Sequence, residues 1–169
     1  MTTPTRDLPS AALDRNTRAI AGLRIAVGVL FIIFGQYKVF GTQFTLGGGF
    51  DRWIQRFLER GAYPFMVPVL RDFVQPNGTA FAFLVAYGEL AIGLALVLGV
   101  FARVASVWGC IYMLALLFSS NYPGPSAVFW QYFGAALSHL TLALCFAAFV
   151  VGKPSAAFTV ERYLRRPRA

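Results

Sequence analysis

Ala86-Tyr87-Gly88-Glu89-Leu90-Ala91-Ile92-Gly93-Leu94-Ala95-Leu96-Val97-Leu98-Gly99-Val100-Phe101-Ala102-Arg103 decides the fold of this chain. Joined to Phe81–Val85, the run is long enough to cross a bilayer as a helix, which takes about 20 apolar residues. It carries one carboxylate, Glu89, well away from either end. A charge at that depth costs several kcal/mol unless it is paired, protonated or wetted. Something else in the chain, or a partner, has to answer it.

The rest of the composition agrees with a membrane protein. Of 169 residues, 57% are hydrophobic and 13% charged, where a soluble domain carries about 25% charged. Four apolar runs predict an all-α membrane protein, a bundle of four transmembrane helices without a separate soluble domain. The net charge of +8 sits next to those runs, so anionic lipid headgroups explain it and nucleic acid does not. Cys110 and Cys145 both lie inside apolar runs and no CxxC occurs. That pattern reads as buried filler and argues against a thiol–disulfide relay.

Residues 1–18 read as a polar arm. The basic residues before Ile25 imitate a signal peptide, but no A-x-A pattern follows the apolar run, so it is read as a retained first span at about 19–40. Arg24, Gly28, Phe31, Gly35 and Lys38 share one face of it. The glycines invite a neighbouring helix, and Arg24 and Lys38, near opposite ends, are placed to snorkel to headgroups. Gly47-Gly48-Gly49 then makes a turn. Phe50, Trp53, Ile54, Phe57 and Leu58 form one face of an amphipathic helix at about 50–61, expected in the interface plane on lipid or on the bundle. Pro76-Asn77-Gly78 is expected to stop the chain before span two, about 79–102. Spans three and four follow at about 104–119 and 128–151, and a basic tail at 153–169. The membrane domain is thus 19–152.

Four spans place both termini and the Arg103 loop on one side. That side holds Arg6, Arg15, Arg18, Arg24, Arg103, Lys153, Arg162, Arg165, Arg166 and Arg168, against Lys38, Arg52, Arg56, Arg60 and Arg71 on the other. The excess predicts a bacterial-type inner (cytoplasmic) membrane protein with cytoplasmic termini and an extracytoplasmic interfacial helix. Spans two and four then run the same way, which sets Glu89 and His139 at similar depth as a proton-exchange pair. Ser138 adjoins His139, and Gln131 lies two turns above it. Gln36 and Lys38 lie near the outer end of span one, and Lys38 turns either toward Glu89 or toward the headgroups. Glu89 therefore has two candidate partners. Gln36, Lys38, Gln131 and Ser138 are candidate ligand-binding residues around the pair. Helix fastening is the rival reading, although an interhelical polar contact in a membrane is worth only about 0.6–2 kcal/mol. One His, two separated Cys and one intramembrane carboxylate make no metal set of recognised spacing. No phosphate loop, nucleophile elbow or haem motif occurs.

The run from Arg24 to Gly35-Gln36-Tyr37-Lys38, with Gly88-Glu89-Leu90-Ala91-Ile92-Gly93-Leu94 continuing to Leu98-Gly99-Val100-Phe101-Ala102-Arg103, resembles the DoxX family of small four-helix membrane proteins. The resemblance covers most of 19–151, and the stretch 42–75 is similar to the insert of its longer forms. It implies a four-helix bundle and a role near respiratory or oxidative-stress chemistry. Relatives include a small subunit of a thiosulfate:quinone oxidoreductase and a membrane anchor for soluble redox partners. It also marks Glu89, Lys38 and Arg103 as the family's polar positions.

The expectation is a subunit of a quinone-linked redox system in the respiratory chain. Glu89 and His139 exchange protons with a quinone, and a second protein subunit supplies electrons, since no flavin, haem or metal site is visible. The alternative is a non-enzymatic anchor or assembly subunit that docks a partner through Trp53 and Phe57. A proton-coupled transporter is a third reading, disfavoured by the lack of an internal repeat.

Overall fold

A computed structural model describes residues 10–120, 122–134, 137–152, 154–155 and 157–160. Much of the polar arm and most of the basic tail, including Lys153, Arg162, Arg165, Arg166 and Arg168, lie outside the described residues. Among the described residues the chain is helical and without strands.

Helix α1 (Ser10–Phe40) is followed at once by the four-residue α2 (Thr42–Thr45) and the amphipathic α3 (Gly49–Arg60). Gly61, at φ 110°, ends α3. The chain then coils into α4 (Met66–Pro68), a π turn (Val69–Val74), a 3₁₀ turn (Gln75–Asn77) and α5 (Gly78–Leu98). Gly99 (φ 72°) and Phe101 (φ 52°) reverse the chain into α6 (Ala102–Ser119). The last helices are α7 (Gln131–Gly134) and α8 (Leu137–Val151).

Among the described residues, three stretches are long and apolar enough to span a membrane: Arg15–Phe40, Met66–Leu98 and Ala102–Ser119. The chain is an all-α, multi-pass membrane bundle, with α8 as a shorter fourth apolar helix. Two expectations change here. Pro76-Asn77-Gly78 does not stop the helical path. Pro76 falls at the start of the 3₁₀ turn, where a missing N–H costs little, and the π turn before it loosens the coil. The fourth apolar helix does not start at 128, because Phe129–Trp130 is turn and helix begins at Gln131, with α8 described from Leu137.

The bundle is assembled from two close pairs. α1 packs along α5, α6 packs along α8, and α5 and α6 join them. The first pair is close because its crossing is glycine. A β-carbon on Gly28 would lie 2.9 Å from the Gly93 carbonyl oxygen, and one on Gly93 only 2.7 Å from Ile32 N. One on Gly35 would lie 2.7 Å from Leu90 N. No side chain larger than hydrogen fits between backbones this near, as at other small-residue crossings in membranes. In the second pair a β-carbon on Gly109 would run into the Phe146 ring. Val27, Phe31, Ile92, Leu96, Met113, Phe146 and Phe149 fill the space among the four long helices.

A second core lies beside the first half of α5. There Phe50 and Ile54 of α3 meet Leu70, Val74 and Ala82. The apolar face of α3 thus lies on the bundle, while Arg52, Arg56 and Arg60 stay exposed. Leu23, Phe34, Tyr37, Leu84, Tyr87, Trp108 and Leu144 remain exposed on the long helices. Such a surface suits a lipid solvent, in which apolar side chains lose nothing by facing outward.

Candidate functional site

The site grows from the face of α5 that carries Ala82, Ala86, Glu89 and Gly93, all buried. Small side chains on either side of Glu89 let α1 come close, and the Gly35–Leu90 contact fixes the register between the two helices. Lys38 lies one helical turn beyond Gly35, and that register delivers its ammonium to Glu89. Lys38 Nζ donates to Glu89 Oε1 at 2.5 Å. The Tyr112 hydroxyl of α6 donates to the same oxygen, also at 2.5 Å. Glu89 is 6% exposed, while the Lys38 side chain keeps 25% of its surface open. The other carboxylate oxygen, Oε2, is buried with no hydrogen-bond partner among the described residues.

An opposite charge and a hydroxyl on one oxygen explain how a carboxylate survives at this depth. They leave Oε2 unexplained. Its lone pairs are desolvated and unused, a state that costs free energy unless a donor arrives. Lys38 is similarly incomplete. Of its three N–H groups one is committed to Glu89, and the ammonium lies under the ring of Phe44 on α2, 5.3 Å from the centroid. The site therefore offers spare donors on a partly open Lys38 and a spare, buried acceptor on Glu89, close together.

His139 is not the partner of Glu89. α8 packs along α6 rather than α5, and His139 Nδ1 is buried without a hydrogen-bond partner among the described residues. Matched depth on two helices does not make them neighbours. Ser138 is exposed, and Gln131 Oε1 accepts from Val128 N within its own turn. Gln36 is half-buried two residues before Lys38 on α1, a spacing that turns it away from Lys38. Of the expected ligand-binding residues, then, Lys38 meets Glu89, and Gln131 and Ser138 do not join it.

Tyr112 is the residue that sequence reasoning missed. A signal was present in the hairpin of α5 and α6. Glu89 lies nine residues before Leu98, and Tyr112 ten after Ala102, so the two are level across the turn.

Lys38 and Arg24 do not snorkel. α1 ends level with the middle of α5, so Lys38 stands deep in the bundle. Arg24 is 0% exposed. Its Nη2 donates to Phe158 O at 2.7 Å, and Nε and Nη1 have no hydrogen-bond partner among the described residues. It lies against Gly99 at the far end of α5, where a cation opposes the negative end of the helix dipole. Ser155 Oγ donates to Gly99 O at 3.1 Å, so this C-terminal segment folds back over Arg24. Arg103 donates to Gly152 O at 3.2 Å at the same end.

Of the expected docking pair, Trp53 is 49% exposed with Arg56 stacked on it at 5.1 Å, whereas Phe57 packs on the second core. A shallow hollow of about 230 Å³ lined by Asp51 and Gln75–Ala80 opens at the start of α5, about 16 Å along the helix from Glu89. It is not the way to the carboxylate.

Residues 19–121 match the family model for DoxX. That span holds α2 to α6 and all but the first part of α1, including Lys38, Glu89 and Tyr112. No curated protein and no solved structure gives a match.

Proposed function

The chain belongs to the DoxX family, and from that premise we propose that it is a membrane subunit of a quinone-linked redox system, with Lys38, Glu89 and Tyr112 as its proton-exchanging site. One observation carries this reading: the unpartnered Glu89 Oε2 beside the partly open ammonium of Lys38. A quinone has carbonyl oxygens that accept hydrogen bonds, and a hydroquinone has hydroxyls that donate them. Lys38 serves the first and Oε2 the second. Reduction of a quinone consumes two electrons and two protons, and oxidation of the hydroquinone returns them. This chain supplies the proton side. The electrons pass to or from a redox group on a second subunit. Tyr112 holds Oε1 and so keeps Oε2 turned to the ligand. His139 is left outside the exchange. The excess of basic residues on the side of the termini supports a cytoplasmic location for them.

The test is purification in mild detergent, followed by native mass spectrometry and lipid extraction. Wild type retains a quinone; Glu89→Gln loses it while still inserting and running as a single species; His139→Ala keeps it. A wild-type preparation free of quinone, in membranes that contain it, overturns the proposal.

A second reading, a membrane anchor for a soluble partner, draws on Trp53, exposed on α3 with Arg56 across its ring. It predicts that Trp53→Ala releases the partner and that Glu89→Gln does not.

A further inference from the structure

The ammonium of Lys38 is covered by one ring. Phe44 stands over Nζ at 5.3 Å and meets Phe50 of α3 edge-on, with centroids 5.9 Å apart. It sits on α2, a single helical turn bracketed by Gly41 on one side and Gly47-Gly48-Gly49 on the other, with Gly48 at φ 70°. Thr45 anchors the turn by burial, Phe44 packs against the second core, and Phe44 N donates to Gly41 O at 3.1 Å. Leu46 N and Gly47 N donate to Thr42 O, and Arg52 Nη1 donates to Gly47 O at 2.9 Å from an exposed position.

We infer that Phe44 is the door to Glu89 and the residue that decides which head groups reach it. The inference rests on the reading of Lys38 and Glu89 as a ligand site. α5 and α6 close the carboxylate from their side through Tyr112, and the glycine crossing closes it from the α1 side. What remains is the 25% of the Lys38 side chain that is open, next to which stands the Phe44 ring. A ligand entering there displaces the ring from the ammonium and must replace what the ring gives. A flat ring with a carbonyl or hydroxyl oxygen does so: its face or its oxygen takes the Lys38 charge, and a hydroxyl proton meets Oε2. A saturated, bulky head group offers neither and is refused by size. Closed, the ring keeps water from the ion pair.

The experiment uses a peculiarity of composition: Lys38 and Lys153 are the two lysines of the chain. In lipid vesicles, the full-length protein is treated with an uncharged amine-acylating reagent, and peptides carrying each lysine are quantified by mass spectrometry, with Lys153 as internal reference. Phe44→Ala is expected to raise the Lys38 rate at least tenfold relative to Lys153. Phe44→Leu, which keeps bulk and loses the π face, is expected to stay within about threefold of wild type. Equal rates for Phe44→Ala and wild type overturn the inference, because the ring then covers nothing. Equal acceleration by Ala and Leu also overturns it, because the ring then acts through its charge distribution and not as a barrier. A short-chain benzoquinone added to wild type separates this inference from the reading it rests on. If it protects Lys38 but Phe44→Ala labels no faster, the site stands and the door falls. If Phe44→Ala labels faster but no quinone protects, the door stands and the quinone falls.

Discussion

Removing Lys38 and removing Glu89 are not equivalent, although they break the same ion pair. Lys38→Met strands a carboxylate that is 6% exposed and held deep in α5, with the Tyr112 hydroxyl its one remaining donor. Breaking a buried pair from that side costs about 3–5 kcal/mol. Glu89→Gln leaves the ammonium, but 25% of the Lys38 side chain is already open, so it has somewhere to go. The glutamine oxygen also accepts from both Lys38 and Tyr112. That change should cost about 1–2 kcal/mol, the scale of weakening a charge-assisted hydrogen bond. The gap of about 2 kcal/mol is roughly a thirtyfold difference in the folding equilibrium. The double variant Lys38→Met/Glu89→Gln should be more stable than Lys38→Met alone, since the stranded charge is gone. Unfolding in mixed micelles with increasing denaturing detergent, followed by helicity and tryptophan fluorescence, reads all four proteins. Equal losses for the two single variants, or a larger loss for Glu89→Gln, would refute the burial argument.

Other expectations follow from neighbouring features. Gly93→Ala places a methyl group 2.7 Å from a backbone nitrogen of α1, and should cost about 1–3 kcal/mol as an overpacked contact; cross-linking between cysteines placed on α1 and α5 should slow. Tyr63, in the segment after α3, donates to Tyr132 O at 2.6 Å. Burial first, then Tyr132 and Tyr122 nearby, raise its phenol above the ordinary value of 10.0. The unfolded chain loses that proton at lower pH than the fold does, so this contribution is complete below about pH 10 and is lost as pH rises through the folded value. Tyr63→Phe should therefore flatten the alkaline fall in melting temperature, while costing about 1 kcal/mol near neutrality for the lost hydrogen bond.

What the sequence reveals and what it hides divide along a physical line. Hydropathy marks the apolar helices, because lipid asks each for the same composition. The period of Phe50, Ile54, Phe57 and Leu58 marks α3, and the spacing of Gly28, Gly35 and Gly93 marks the closest crossing. All of these are properties of one helix at a time. Register between helices is not. Lys38 reads equally as a headgroup anchor or a partner of Glu89 when span one is laid against the membrane alone, and becomes the partner once Gly35 is seated on Leu90. His139 reads as level with Glu89, yet faces a different neighbour. Arg24 reads as a snorkelling residue because nothing local announces that Ser155 and Phe158 fold back over it. Tyr112 escapes because one hydroxyl in an apolar helix is unremarkable until the opposite helix puts a carboxylate beside it.

The unbroken path from Met66 to Leu98 has a consequence for how the protein stands in its bilayer. Its 33 residues measure about 50 Å at 1.5 Å each, against a hydrocarbon layer of about 30 Å. A typical tilt of about 20° shortens the projection by only about 3 Å. With Leu98 at one boundary, Glu89 falls near the midplane and Gly78 near the opposite boundary. Met66–Asn77 then stands roughly 18 Å clear of the hydrocarbon, braced by α3 through Leu70 and Val74. The protein therefore rises from both faces, through Met66–Asn77 on one and, on the other, through the first turns of α1, which run on past Arg24 and the Gly99 end of α5. A soluble protein arriving from the Met66 side meets a shaped, preassembled platform about as tall as a headgroup layer and more, with α3 as its brace.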